Sequence, residues 1–254
     1  MDNHRVADIL EALHRARPAA RVELDHDSPF RLLVATILSA QCTDARVNQV
    51  TPSLFRAWPD AAALARADLT DLEAAIRSTG FFRAKARALK ATSRALVDRH
   101  GGEVPRTMDE MTRLPGVGRK TANVVLGAGY GIASGIVVDT HAARVARRLG
   151  LTRESDPVKI ERDLMAVIPR DDWIFSSIAL VLHGRYVCQA RLPRCSACPL
   201  SPHCPSLHLE AELREGKGRG GRKTPAGKAG VRAGSRPAAG RRRPAARRPA
   251  PDRS

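Results

Sequence analysis

The sequence shows no long apolar stretch, no visible signal-peptide pattern, few aromatics and a shortage of acids. Asp2, His4, Arg5 and Asp8 break up any apolar region that a secretory signal would need. The longest stretch free of charge, Thr121 to Val138, contains Gly127, Gly129, Gly131 and Gly135 together with Thr, Asn, Tyr and Ser. It reads as a buried helix followed by a glycine-rich loop, not as a membrane span. Five Phe, two Trp and two Tyr are the whole aromatic content, and 26 Asp and Glu stand against 43 Lys and Arg, for a net charge of +17. Such an excess predicts a polyanionic partner without saying which one. What is present suffices for a core: 43% of the 254 residues are hydrophobic, enough for one large domain or two small ones. The expectation is an intracellular globular protein without a membrane partner.

The positive charge is unevenly placed. From Gly216 to Ser254 there are thirteen Lys and Arg and one acid, Asp252, a net +12 that leaves +5 for residues 1–215. That tail holds eight Gly, five Pro and eight Ala, with Val231 its one sizeable aliphatic residue. Nothing in it can offset the entropy of ordering a backbone, so 214–254 is expected to be a disordered basic tail. Arg241-Arg242-Arg243 and Arg247-Arg248, spaced by Pro and Ala, suit phosphate contacts that read no sequence.

The remainder reads as helix after helix. Val6, Ile9, Leu10 and Leu13 recur at helical spacing, and Pro29 precedes an apolar run from Phe30 to Ala40. Further helices are expected over Asp44–Ala57, Asp60–Ala65, Asp68–Ser78 and Ala84–His100, the last stopped by Gly101-Gly102. Asp109–Leu114, Arg119–Leu126 and Thr140–Leu149 follow, then one begun by Asp156-Pro157, and Trp173–His183 ended by Gly184. No stretch alternates as a strand would. The fold class is all-α.

Between two of these helices lies Leu114-Pro115-Gly116-Val117-Gly118-Arg119-Lys120-Thr121-Ala122. Two glycines around one small apolar residue let the chain turn sharply and approach another group closely. The next helix begins at once, so its free N–H groups and dipole face the hairpin and suit a phosphate. A nucleotide P-loop needs Gly directly before Lys, and Arg119 intervenes. Gly127, Gly129 and Gly131 lack dinucleotide-binding spacing and follow a helix instead of a strand. A lysine in a helix's first turn feels the positive end of the dipole, which favours a free amine able to form a Schiff base; contact with phosphate is the plainer role. Asp139, after Ile136-Val137-Val138, is placed to cap the helix that follows, with His141 beside it.

Cysteines gather near the end. Cys188, Cys195, Cys198 and Cys204 form C-x6-C-x2-C-x5-C, with Cys42 far away. Four thiolates in one loop can enclose a zinc ion or an iron–sulfur cluster, and spacing alone does not choose. Arg191 and Arg194 lie between the first two and suit phosphate contact.

Leu38-Ser39-Ala40-Gln41-Cys42-Thr43-Asp44, then Leu114 through Leu126, then Val138-Asp139-Thr140-His141 resemble the endonuclease III family of helix–hairpin–helix DNA glycosylases. The resemblance covers about residues 5 to 210 and implies two helical lobes: a central domain over 22–133, with the hairpin motif at about 108–131, and a cluster-containing domain of 1–21 plus 134–213. It implies that Lys120 is the nucleophile and that Asp139 assists it. The cysteine pattern resembles the family's cluster loop, which implies a [4Fe–4S] cluster on Cys188, Cys195, Cys198 and Cys204. Chemistry on a base in duplex DNA requires flipping it out and filling the gap. Gln41, able to donate and accept, matches the family's gap-filling glutamine. Thr79-Gly80-Phe81-Phe82 aligns with its wedge loop, with Phe81 as the wedge, although many members carry leucine then tyrosine there. Gly116, Val117, Gly118, Arg119, His141, Arg191 and Arg194 complete the expected DNA contacts.

The expected activity is a bifunctional DNA glycosylase and abasic-site lyase for oxidised pyrimidines in duplex DNA, working as a cytoplasmic, nucleoid-associated monomer. An adenine-mismatch glycosylase shares the hairpin, aspartate and cluster but generally lacks the lysine and carries a folded C-terminal recognition domain. A non-catalytic DNA-binding or damage-sensing protein is the alternative of another class.

Overall fold

A computed structural model of the chain describes residues 3–212; the basic tail expected over 214–254 lies outside the described residues. Within them the chain is helical, with no strand. The order begins α1 (Asn3–Ala16), α2 (Pro29–Leu38), α3 (Asp44–Ala57), α4 (Ala61–Arg66) and α5 (Leu69–Ala75). It continues with α6 (Phe82–His100), α7 (Met108–Thr112), α8 (Arg119–Val124), α9 (Thr140–Arg148), α10 (Pro157–Val167) and α11 (Trp173–Tyr186). No described helix is long and apolar enough to cross a membrane.

Most of these helices start where a short polar side chain satisfies their free N–H groups. Ser28, Thr43, Asp60, Asp68, Thr107, Asp139 and Asp156 each accept from the first turn of the helix they precede. Each such cap is worth about 1 kcal/mol. Gly101 and Gly102, at φ +62° and +87°, end α6 as expected.

Two hydrophobic clusters organise the helices. One packs Leu32, Leu33 and Leu38 of α2 against Leu54, Leu64, Leu72, Leu89 and Leu96, and closes with Leu114, Val117 and Leu126 around the hairpin. The other packs Ile9 and Leu13 of α1 against Val145, Ile160, Leu164 and Leu180, with Leu200 beneath the cysteine loop. The N-terminal helix therefore joins elements more than a hundred residues away.

Two local expectations are corrected. Gly184 does not end its helix, because α11 runs on to Tyr186. A Cβ there would lie 2.8 Å from the Cβ of His141, so this glycine lets α9 and α11 approach closely. The helix expected to stop at Leu126 is extended by a π-helical turn over Val125–Gly129, and the expected glycine-rich loop follows from Gly131. Such wide turns are often found at functional sites.

Candidate active site

The hairpin is clamped onto α6. Gly116 has φ +77°, and a Cβ on it would lie 3.1 Å from the Cβ of Ala88, so both conformation and contact demand glycine. Thr92 Oγ1 donates to the carbonyl of Pro115 at 2.5 Å. Val117 is buried, so its side chain belongs to the core and only its backbone can face a ligand. Gly118 caps α8 with nothing near the place of a Cβ, leaving that side open.

Lys120 follows in the first turn of α8, exposed, and lines a cleft between the two cores. Asp139 lines the same cleft from the start of α9. Its Oδ1 accepts from the N–H groups of His141 and Ala142, both at 2.8 Å, which fixes the carboxylate at the helix end. The capping role and the place in the cleft are thus compatible. Val137, Ile174, Ile178 and Val181 give the cleft an apolar wall. Further along α11, Arg185 Nη1 donates to Glu23 Oε2 and Asp44 Oδ2, each at 2.5 Å, and the Tyr186 hydroxyl donates to Glu23 Oε1 at 2.6 Å. These charges join α3, α11 and the segment after α1.

Arg119 does not stand free at the surface. It makes a two-pronged pair with Glu161 of α10, at 2.6 and 3.1 Å. His141 is half-buried, its Nδ1 3.3 Å from Arg144 Nη2.

A second groove holds Gln41, Phe81, Gly116 and Lys85. Gln41 (φ +52°) and Phe81 (φ +47°) are the non-glycine residues with positive φ among those described. Sterically costly conformations of this kind persist where the surroundings enforce them, and they gather at working sites. Phe81 is 67% exposed, whereas Phe82 packs on the first core, so the adjacent phenylalanines part company. Buried Lys85 donates from Nζ to the carbonyl of Thr79 at 2.8 Å and braces this loop; burial lowers its pKa.

Cys188, Cys195, Cys198 and Cys204 line one pocket beside α9 and α11, and none of them forms a disulfide. Burial pushes the thiols of Cys195 and Cys204 up and that of Cys198 to about 11. Neighbouring thiols add to the rise, the effect that a bound cation reverses. Arg148 Nη1 lies 3.4 Å from Cys188 Sγ, and His183 Nε2 3.5 Å from Cys198 Sγ. No three His, Cys, Asp or Glu among the described residues stand close enough to hold a single metal ion. Four cysteine side chains on one pocket are a donor set that a zinc ion or an iron–sulfur cluster can use. Arg191 and Arg194 are exposed on this loop, and Cys42 packs against the first core.

A glycine hairpin that brings a lysine into a cleft shared with a helix-capping aspartate, in an all-α fold, defines a helix–hairpin–helix protein. The model of the HhH-GPD superfamily of base excision DNA repair proteins matches residues 34–170, and the chain belongs to that family. It is 54% identical over 202 residues to the endonuclease III of Synechocystis, covering 80% of this chain and 92% of that one. It is 38% identical over 204 residues to the endonuclease III of Escherichia coli K12, covering 80% and 96%. A solved trapped endonuclease III–DNA covalent intermediate superposes with a TM-score of 0.79 at 40% identity, covering 83% of this chain and 99% of that one.

Glu161, Asn123, Ser134, Glu23 and Arg185 escape sequence reasoning. Asn123, one turn beyond Lys120, carries the clearest signal, since a polar side chain there must share the lysine's side of α8. An acid on an amphipathic helix, as Glu161 is, looks like any solvated charge.

Proposed function

We propose that the protein is a bifunctional DNA glycosylase and abasic-site lyase that removes oxidised pyrimidines from duplex DNA in base-excision repair. The observation that carries this is that Lys120 and Asp139, at the starts of helices from the two cores, line one apolar-walled cleft. Lys120 Nζ attacks C1′ of the flipped nucleotide, and the C1′–N bond to the base breaks with its electron pair leaving on the base. The sugar ring opens to an imine at C1′, loss of a C2′ proton follows, and the C3′–O bond breaks, which cuts the strand. The Asp139 carboxylate stabilises the developing positive charge and helps take the proton from the lysine. Gln41 and Phe81, side by side in the adjoining groove, fill the gap left by the flipped base. The backbone around Gly116 and Gly118 meets a phosphate near the lesion, and Arg191, Arg194 and His141 add contacts.

On this reading 22–133 is one lobe and 1–21 with 134–213 the other, and the protein acts as a monomer on the nucleoid in the cytoplasm. Cys188, Cys195, Cys198 and Cys204 would hold a [4Fe–4S] cluster, which cross-links the loop; no step of the reaction passes through it. The presence of a lysine at position 120 favours this reading over an adenine-mismatch glycosylase.

Borohydride reduction with abasic DNA tests the mechanism. Wild-type protein is expected to form a covalent adduct, and Lys120→Ala to lower its yield by about 10³-fold or more. A wild-type protein that traps nothing refutes the lyase reading, and an unchanged Lys120→Ala refutes the nucleophile.

A further inference from the structure

One buried carboxylate ties the helix that carries Lys120 to a helix of the other core. Glu161 sits on α10 with its side chain 6% exposed. Its Oε2 accepts from Arg119 Nε at 2.6 Å, and its Oε1 accepts from Arg119 Nη2 at 3.1 Å and from Asn123 Nδ2 at 2.7 Å. Asn123 Oδ1 in turn accepts from Ser134 Oγ at 2.9 Å. Arg119 and Asn123 bracket Lys120 on α8, while Ser134 begins the segment that ends at Asp139. The network therefore grips the lysine's helix at two points and the aspartate's segment at a third, from a helix of the opposite core. It is tightly packed: a Cβ on Gly135 would overlap the Glu161 carboxylate and lie 2.9 Å from both polar atoms of the Asn123 amide.

Burying a carboxylate is costly, and the cost is offset here by a two-pronged arginine pair and an amide donor. Such buried pairs add little net stability compared with apolar packing; their best-attested contribution is to fix one arrangement over others. We propose that Glu161 is a positioning residue that holds Lys120 and Asp139 in register across the cleft. The proposal rests on the lyase reading above. Reacting groups displaced by about 1 Å can lose 10²-fold in rate, so geometry of this kind has a kinetic signature.

The test uses the full chain with saturating abasic duplex, reading the single-turnover rate of borohydride-trappable adduct. Binding is read separately, on a duplex that carries a tetrahydrofuran abasic analogue. Glu161→Ala is expected to slow adduct formation about 10–100-fold while affinity stays within about threefold. Glu161→Gln, which still accepts from Asn123, is expected to recover part of the rate. A folded Glu161→Ala with wild-type rate, or a loss carried wholly by affinity, overturns the proposal. If Glu161→Ala does not fold, Ser134→Ala decides, because it cuts only the link to the aspartate's segment. There a rate loss of about 3–10-fold at unchanged affinity supports the proposal, and a wild-type rate overturns it. Failure of wild-type protein to trap at all would overturn both readings, whereas equal trapping by wild type and variant overturns this one alone.

Discussion

Phe81 and Phe82 are chemically identical neighbours with opposite environments. Phe81 adopts φ +47° and stands 67% exposed at the mouth of the groove that holds Gln41. Phe82 begins α6, packs on the first core and carries the Arg83 guanidinium 5.2 Å from its ring centre. An exposed phenylalanine held in a costly conformation by Gly80 on one side and Lys85 beneath it contributes nothing to the core. Phe81→Ala is therefore expected to leave the melting temperature within about 1 °C and to lower excision of a damaged base from duplex DNA about tenfold. Phe82→Ala is expected to cost about 1–3 kcal/mol of stability, seen as a fall in melting temperature. Equal melting losses in the two variants would show that both residues are core. The sequence alone places an aromatic pair in this loop; it does not say which member faces out, because one residue of left-handed backbone decides that.

At the scale of elements, the cysteine loop depends on α9 and α11 for its foundation. The buried alanines of α9, Ala142, Ala143 and Ala146, and Gly184 on α11 allow the two helices to lie close. Arg148, at the end of α9, reaches from there to Cys188 Sγ and to the carbonyls of Gln189 and Ala190. Burial raises the pKa of Cys195, Cys198 and Cys204, so these thiols resist ionising by themselves. The proposed iron–sulfur cluster would stabilise the thiolates and tie the loop together, so Cys198→Ser is expected to lose iron and sulfide and to lower the melting temperature by ~5 °C or more. Metal and sulfide analysis of anaerobically purified protein checks this; zinc without iron in the wild-type protein would sink the cluster assignment. The ligand spacing is legible in the sequence. The donors that surround the sulfurs are not, since Arg148 and His183 come from other helices.

Taken whole, the molecule divides its charge unevenly: residues 1–215 carry +5 and Gly216–Ser254 carry +12. Selectivity in the body must therefore come from placed groups, while the C-terminal segment is expected to contribute a salt-sensitive attraction. Removing residues 216–254 is expected to weaken binding to undamaged duplex at low salt. The plot of log affinity against log salt should flatten by about 0.9 for every phosphate that the segment neutralises. Trapping at saturating abasic DNA should be unchanged. An unaltered salt slope after truncation would show that the tail does not touch DNA.

Much of this protein is determined locally, and local features survive in sequence. Caps and glycine stops mark the helices, the hairpin needs glycine at 116, and the cysteine spacing marks a candidate metal site. These signals act over a few residues, where backbone geometry and short hydrogen bonds decide the outcome. Only the tertiary structure brings Lys120 and Asp139 into one cleft, sets Arg119 against Glu161 forty-two positions away, and carries Gly184 through a helix it was expected to end. The physical reason is that a side chain's partner across a cleft depends on how whole helices pack. An arginine paired with a buried carboxylate and an arginine in solvent are the same letter in the sequence.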